Sequence, residues 1–403
     1  MTGDDAASWA ASGPASPTDL LALDADLTAA ERRTRDRVRG LVDEHVRPHV
    51  ARWFADGVFP RDLVPRLAEA GLLGMHLRGY GCAGASAVEY GLAMAELEAG
   101  DSGIRTFVSV QGSLAMTAIA KHGSDAQKER WLPGMAAGEV IGCFALTEPT
   151  AGSDPASMRT TATLVGDEWV IEGAKRWIGL ASIADVAVIW AKADDGEGVR
   201  VRGFLVPTST PGFTATPIEP KLSLRASVQC DVELDGVRVP ADAILPHHPG
   251  LAGPFACLAE ARYGIAWGAA GAARDCLEAA LGHAAGRVQF GRPIAAFQLT
   301  QAKLVDMALE VARAQLLALR LGRLKDTGRL EPHMVSAGKL ANVRSAIEVA
   351  RTARTILGGD GVTLEHSPMR HAANLESVRT YEGTDEVHTL ILGRYLTGHQ
   401  AFR

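Results

Sequence analysis

A chain of 403 residues, 47% apolar and 22% charged, is long enough for two or three cores at the usual length of about 100–200 residues each, and its composition excludes a disordered protein. A formal net charge of -6 excludes a general nucleic-acid binder, which needs a dominant basic surface. No run approaches the roughly 18 consecutive apolar residues of a membrane span.

Taken in chain order, residues 1–25 are rich in Ala, Asp, Ser and Pro and lack both a basic start and an apolar run. They read as a flexible tail rather than a signal or transit peptide. From 26 to 142 the texture is helical, with the clearest pieces at Ser86–Leu97 and Gln127–Leu132 and breaks at Phe59-Pro60 and Gly79–Gly84. From 143 to 248 short β-branched and aromatic runs take over: Trp169–Ile171, Val186–Trp190, Gly203–Val206 and Val232–Leu234. Turn residues separate them, as in an antiparallel sheet or barrel. From 249 to 403 helices return, and Leu304, Met307, Val311, Ala314, Ala318 and Leu321 form the stripe of a four-helix-bundle helix. The fold class expected is mainly α with a central β domain. Five cysteines, Cys82, Cys143, Cys230, Cys257 and Cys276, show no CxxC spacing and read as reduced, mostly buried thiols of a cytoplasmic protein.

Several patterns carry no chemistry. His45 and His49 have ligand spacing, but Pro48 disrupts their helix, and His247-His248 lies in a loop, so no metal site is expected. There is no phosphate loop. Gly358-Gly359-Asp360-Gly361 lacks the preceding strand of a dinucleotide fingerprint and reads as a helix cap and turn that admits close approach of a ligand. Three stretches carry more. Thr147–Asp154 is a polar, turn-rich junction that suits a flavin edge or a phosphate; Lys175–Gly179 ends a strand in a flat ring and a glycine; Arg287–Gly291 with Gln298 sets a cation, amides and an aromatic ring at a helix break. Near the C-terminus, Glu382 stands between Tyr381 and Gly383. A carboxylate folded over an apolar pocket there would have a raised pKa and act as a general base.

With Cys143–Pro149, Gly152-Ser153-Asp154, Ala261–Gly268, Gln289-Phe290-Gly291, Leu357-Gly358-Gly359 and Thr380–Thr384 in this order, the chain resembles the acyl-CoA dehydrogenase flavoproteins over about three-quarters of its length. Within them it is most similar to the glutaryl-CoA dehydrogenases. The resemblance implies a helical, a β and a second helical domain with FAD and a CoA thioester between them, and a homotetramer. It implies that Phe144, Leu146, Thr147, Gly152, Ser153, Trp177, Ile178, Gly179 and Thr384 meet the flavin, with Ser153 by the flavin or the CoA. Arg287, Gln289, Phe290, Gln298, Leu357, Gly358 and Gly359 would hold its adenine-dinucleotide end across a subunit interface. Phe255, Arg262, Tyr381 and Gly383 would meet the acyl-CoA, and Glu382 would take its α-proton while the β-hydride passes to the flavin.

Substrate choice turns on Glu98–Ser109. A guanidinium is costly to bury in an apolar acyl pocket, and Arg105 matches the position at which glutaryl-CoA dehydrogenases bind the distal carboxylate, with Glu98 tuning it and Thr106 and Ser109 nearby. Pairing of Arg105 with Glu98 or Asp101 for structure alone is the competing reading. Two departures stand out. Gly179 replaces the hydroxyl residue that follows Trp-Ile in many dehydrogenases and matches plant short-chain acyl-CoA oxidases, and Thr106-Phe107 replaces smaller or more flexible residues. The resemblance therefore implies glutaryl-CoA oxidation and decarboxylation with electron-transfer flavoprotein as acceptor. The alternative is a short-chain or other dicarboxylyl-CoA dehydrogenase or an oxidase.

Overall fold

The structure, a computed structural model, describes residues 17–194, 196 and 198–402. Of the expected tail, residues 1–16 lie outside the described residues. Residues 17–25 are docked: Thr18 is buried and its hydroxyl donates to Glu278, and a 3-10 turn spans Leu23–Asp26.

The first helical region comprises α1 (Ala29–His45), α2 (Val50–Asp56), α3 (Val64–Glu69), α4 (Ala87–Gly100), α5 (Ser102–Val108), α6 (Thr117–His122) and α7 (Asp125–Ala136). A small hairpin, β1 (Arg78–Gly79) and β2 (Cys82–Ala83), fills the Gly-rich break. Helices α1, α4 and α7 each start on a capping box, at Thr28/Glu31, Ser86/Glu89 and Ser124/Gln127, which satisfies two orphan N–H groups per helix. Helix α4 is buried almost all round, as a central helix must be. Between α5 and α6 the chain runs through a π-helical segment, Ser109–Met116. Such segments are rare and often mark functional sites.

The β region is one curled seven-stranded sheet: β3 (Gly142–Ala145), β4 (Thr161–Val165), β5 (Glu168–Gly179), β6 (Val186–Asp194), β7 (Val199–Pro207), β8 (Phe213–Pro217) and β9 (Gln229–Pro240), in the order β3-β6-β4-β5-β9-β8 with β7 on the other side of β6. All four expected strand runs lie in it. The sheet is mixed rather than purely antiparallel, because β3 and β4 both pair parallel to β6. A parallel pair needs a long crossover, and the chain between β3 and β6 supplies one that short-range alternation could not reveal.

The last region holds α8 (Ala252–Gly286), the hairpin β10 (Val288–Gln289) and β11 (Arg292–Pro293), then α9 (Gln298–Asp326), α10 (Pro332–Ile356), α11 (Ser367–Thr380) and α12 (Asp385–Thr397). The stripe on α9 faces inward: Met307, Val311, Ala314, Ala318 and Leu321 are buried. Two apolar cores result, a large one uniting the first helices with the sheet and a second inside the last bundle. Helix α8 joins them and packs closely on α4. A Cβ on Gly271 would lie 1.9 Å from the Ala95 carbonyl oxygen and one on Gly268 would lie 2.0 Å from Glu98 Oε2.

Candidate active site

Residues 381–384 link α11 to α12. Glu382 sits in the left-handed region at φ +54°, which costs a non-glycine residue about 1–2 kcal/mol. Gly383 follows at φ +97°, where a Cβ would meet His388 Nε2 at 2.8 Å. Two cations grip this loop by its backbone. Arg262 Nε donates to the Glu382 carbonyl at 2.7 Å, and Lys339 Nζ donates to the Tyr381 carbonyl and, at 2.5 Å, to that of Gly383. The Glu382 carboxylate is thereby turned inward, and its Oε2 is buried with no hydrogen-bond partner. Burial raises its pKa, and Lys339, Arg105 and Arg262 oppose that rise without cancelling it.

Arg105 is completely buried on α5. Its Nε donates to Glu98 Oε2 at 2.5 Å and its Nη2 to the Tyr381 hydroxyl at 2.5 Å, and that hydroxyl is 3.4 Å from Thr106 Oγ1. Burial by itself would lower the Arg105 pKa, but Glu98, Tyr381 and Glu382 raise it, so the guanidinium stays charged. Its Nη1, Glu98 Oε1 and Ser109 Oγ are all buried without a partner. An unpaired buried donor costs about 1–3 kcal/mol, so this group is incomplete as a structural ion pair. Asp101, the other partner considered for Arg105, is engaged elsewhere: it accepts from Arg370 Nη1 at 2.5 Å and from Asn374 Nδ2 at 3.0 Å. Phe107 lies in the core, stacked on Phe59 with centroids 4.7 Å apart.

On the sheet side the register of β5 against β9 slips between Lys175 and Ile178. The slip expels Trp177, at φ +62° and 53% exposed, as a bulge does. Gly179 abuts the π-helical wall: a Cβ there would make a tight contact, 3.3 Å from Val110 Cγ2. Glu148 organises the preceding loop, accepting from Lys175 Nζ at 2.8 Å and from the Arg159 and Thr160 amides. Thr147 is half-buried, with its carbonyl accepting from Arg176 N–H, and Gly152 and Ser153 are exposed.

The side chains of Phe144, Leu146, Ile178 and Leu357 are buried in the apolar cores, so they offer a ligand backbone more than side chain. The Thr384 hydroxyl oxygen caps α12, accepting from Val387 N–H at 3.3 Å. Phe255 stands exposed two turns before Arg262 on α8. Arg287, Gln289, Phe290 and Gln298 lie on the exposed β10–β11 hairpin and the start of α9, with Gly358 and Gly359 exposed in the turn after α10. No described hydrogen bond joins them to the Glu382 loop. The structure thus gathers Glu98, Arg105, Thr106, Arg262, Tyr381 and Glu382, with Ser109 one turn beyond Arg105.

Sequence reading missed Lys339, which is buried on α10. The signal was present: Val335, Lys339 and Val343 recur every four residues on one buried face, and a lysine in such a stripe needs acceptors. It also missed His388, whose ring nitrogens are buried without partners. Three residues of metal-ligand type, His283, Asp360 and His366, bring ligand atoms within 4.8 Å of one another among the described residues, and they share no residue with the Glu382 cluster.

Sequence profiles of three consecutive domains match the chain: the acyl-CoA dehydrogenase N-terminal domain over 28–139, middle domain over 143–237 and C-terminal domain over 250–397. The chain belongs to the acyl-CoA dehydrogenase family. Glutaryl-CoA dehydrogenase from Mycobacterium smegmatis is 62% identical, covering 96% of this chain and 99% of that one with a TM-score of 0.93. A glutaryl-CoA dehydrogenase from the same organism, solved in complex with FADH2, is 54% identical over 96% of this chain and 99% of that one, with a TM-score of 0.94. Human mitochondrial short-chain specific acyl-CoA dehydrogenase is 36% identical over 89% of this chain and 88% of its own length. This acyl-CoA dehydrogenase has, among its described residues, no helix long and apolar enough to cross a membrane.

Proposed function

We propose that this acyl-CoA dehydrogenase is FAD-dependent and acts on glutaryl-CoA, with Glu382 as the base that takes the α-proton and Arg105 as the receptor of the distal carboxylate. The observation that carries this reading is the pairing of two buried, partnerless atoms, Glu382 Oε2 and Arg105 Nη1, on residues bridged by Tyr381. A thioester with a second carboxylate supplies a partner for each. The 62% identity to a glutaryl-CoA dehydrogenase supports the same choice, whereas the short-chain specific relatives at 36% identity or less favour a short-chain acyl thioester as the second reading.

A flavin fits the residues present. The expelled, exposed Trp177 ring offers a flat face at the end of β5. FAD, when bound, supplies the hydride acceptor. The protein's own contribution is the proton chemistry. Burial makes Glu382 a stronger base than a solvated carboxylate, and its backbone N–H, which donates to no described acceptor, is available to the thioester oxygen as enolate charge develops. Arg105 Nη1 and Ser109 Oγ hold the distal carboxylate until the oxidised product, glutaconyl-CoA, loses CO2. Glu382, now carrying the proton, delivers it to the resulting dienolate and crotonyl-CoA leaves.

Electrons then pass to electron-transfer flavoprotein; oxygen uptake equal to product formation with no other acceptor would assign an oxidase instead. The exposure of large apolar side chains at Phe290 and Leu299, and at Val305, Leu309 and Leu316 along α9, is of the kind that marks association. It supports a homotetramer with the Arg287–Gln298 group at the interface. The free thiols fit a reducing cytoplasm. The test is Glu382→Gln, which should retain FAD and lose all bleaching by glutaryl-CoA under anaerobic conditions. Bleaching at a near-normal rate would remove Glu382 from the role.

A further inference from the structure

Lys339 is a lysine inside a bundle. It is 1% exposed on α10, and burying an ammonium costs several kcal/mol unless partners repay it. Its partners are the two carbonyls that flank the base, those of Tyr381 and Gly383, and they lie on either side of a residue held at an unfavourable φ of +54°. Neither partner is a carboxylate. The negative charge that Lys339 chiefly faces is Glu382 itself.

We propose that Lys339 is the positioning residue of this active site, clamping the carbonyls on both sides of Glu382 and supplying the positive charge that the buried carboxylate faces. The inference rests on the assignment of Glu382 as base. Geometry gives the clamp. A left-handed glutamate between an aromatic residue and a glycine has no regular secondary structure to fix it, so two hydrogen bonds from one rigidly packed helix replace that support. A misplacement of about 1 Å at a reacting group can cost about a hundredfold in rate.

Charged groups face the pair from several helices. Glu382 faces Lys339 from α10, Arg105 from α5 and Arg262 from α8. Lys339 faces Glu382, Arg262, Arg105 and Asp385 at the start of α12. Glu98 reaches the cluster through Arg105. Burial raises the hydroxyls of Tyr381, to about 12, and of Tyr90, so both keep their protons. His388, under Gly383, is pushed down to about 3 by burial with Lys339 and Arg262 and is neutral. Burial lowers Lys339 to about 7 and raises Glu382. Each charge opposes the shift that burial imposes on the other.

An opposite charge within about 4–6 Å lowers a carboxylate by about 1–3 pKa units, so removing the cation raises Glu382 and moves the acid limb of activity to higher pH. The experiment is the pH profile of flavin reduction by glutaryl-CoA, read as kcat/KM, in Lys339→Met and Lys339→Gln holoenzymes checked for FAD content. Lys339→Met, lacking donor and charge, should reduce at about one-tenth to one-hundredth of the normal rate, with its acid limb displaced upward by about one unit or more. Lys339→Gln keeps N–H donors without charge; it should recover part of the rate and retain the displaced limb. An undisplaced acid limb in either folded variant overturns the proposal, because a lysine that merely filled space would leave the profile where it was. Loss of bleaching in Glu382→Gln together with normal profiles in the Lys339 variants would retain the base and discard the clamp.

Discussion

Replacing Arg105 separates its structural role from its substrate role. The residue is fully buried and its Nε lies 2.5 Å from Glu98 Oε2. Arg105→Met alone leaves Glu98 buried without a cation, and breaking a buried pair in this way costs about 3–5 kcal/mol. That single variant should unfold early and lose flavin, which says little about substrate. Glu98→Gln/Arg105→Met removes both charges and keeps comparable volume, and such replacements are often neutral, so most of the loss in stability should be recovered. In this double variant the distal carboxylate loses a charge-assisted hydrogen bond of about 1.5–3 kcal/mol. At about 1.4 kcal/mol per decade, kcat/KM for glutaryl-CoA should fall by about one to two decades relative to butyryl-CoA. The assay is dye-linked turnover of both thioesters, with CO2 release measured from glutaryl-CoA. An unchanged glutaryl-to-butyryl ratio in a flavin-replete double variant would refute carboxylate recognition by Arg105.

Other outcomes can be measured on the same preparation. Burial would raise Glu260, but Lys325 at 2.6 Å and Lys121 at 3.1 Å more than offset it and hold it at about 2. With its folded pKa below the unfolded one, it contributes stability above about pH 4.5 that is lost as pH falls toward 2, on the order of 3 kcal/mol; Glu260→Gln should flatten acid unfolding in that window, and an identical acid transition would contradict it. Gly268→Ala places a Cβ 2.0 Å from Glu98 Oε2 and should destabilise by about 1–3 kcal/mol while selectively impairing glutaryl-CoA turnover. Unaltered thermal unfolding and turnover would show that Glu98 can move aside. Phe290→Asp/Leu299→Asp puts charge on the exposed apolar surface; sedimentation should show smaller species with reduced FAD content, and an intact oligomer with full FAD would rule this surface out as the interface.

The periodic parts of the chain were the legible ones. The α9 stripe and the four strand runs needed only local spacing, because a helix or strand covered on one side repeats its apolar residues at a fixed period. The carboxylate at Glu382 and the guanidinium at Arg105 were legible as chemistry through family motifs. The parallel pairing of β3 and β4 with β6 was not, since a crossover leaves no mark on the alternation of either strand. The π-helical turn at Ser109–Met116 was equally silent, as its residues read like those of any buried helix.

What the sequence by itself determined was the order of helical, β and helical regions and the residue types able to remove a proton or meet a carboxylate. Only the tertiary structure decided which of them meet. Arg105 and Tyr381 are 276 positions apart yet joined by a hydrogen bond, while Asp101, four residues from Arg105, is taken by Arg370. Lys339 shows the same rule from the other side, because its value at the site depends on two carbonyls about 40 residues away. Periodicity reports how each element meets the core; the partners of a buried charge are set by how those elements pack, and the cost of leaving such a charge unpaired makes those partners specific.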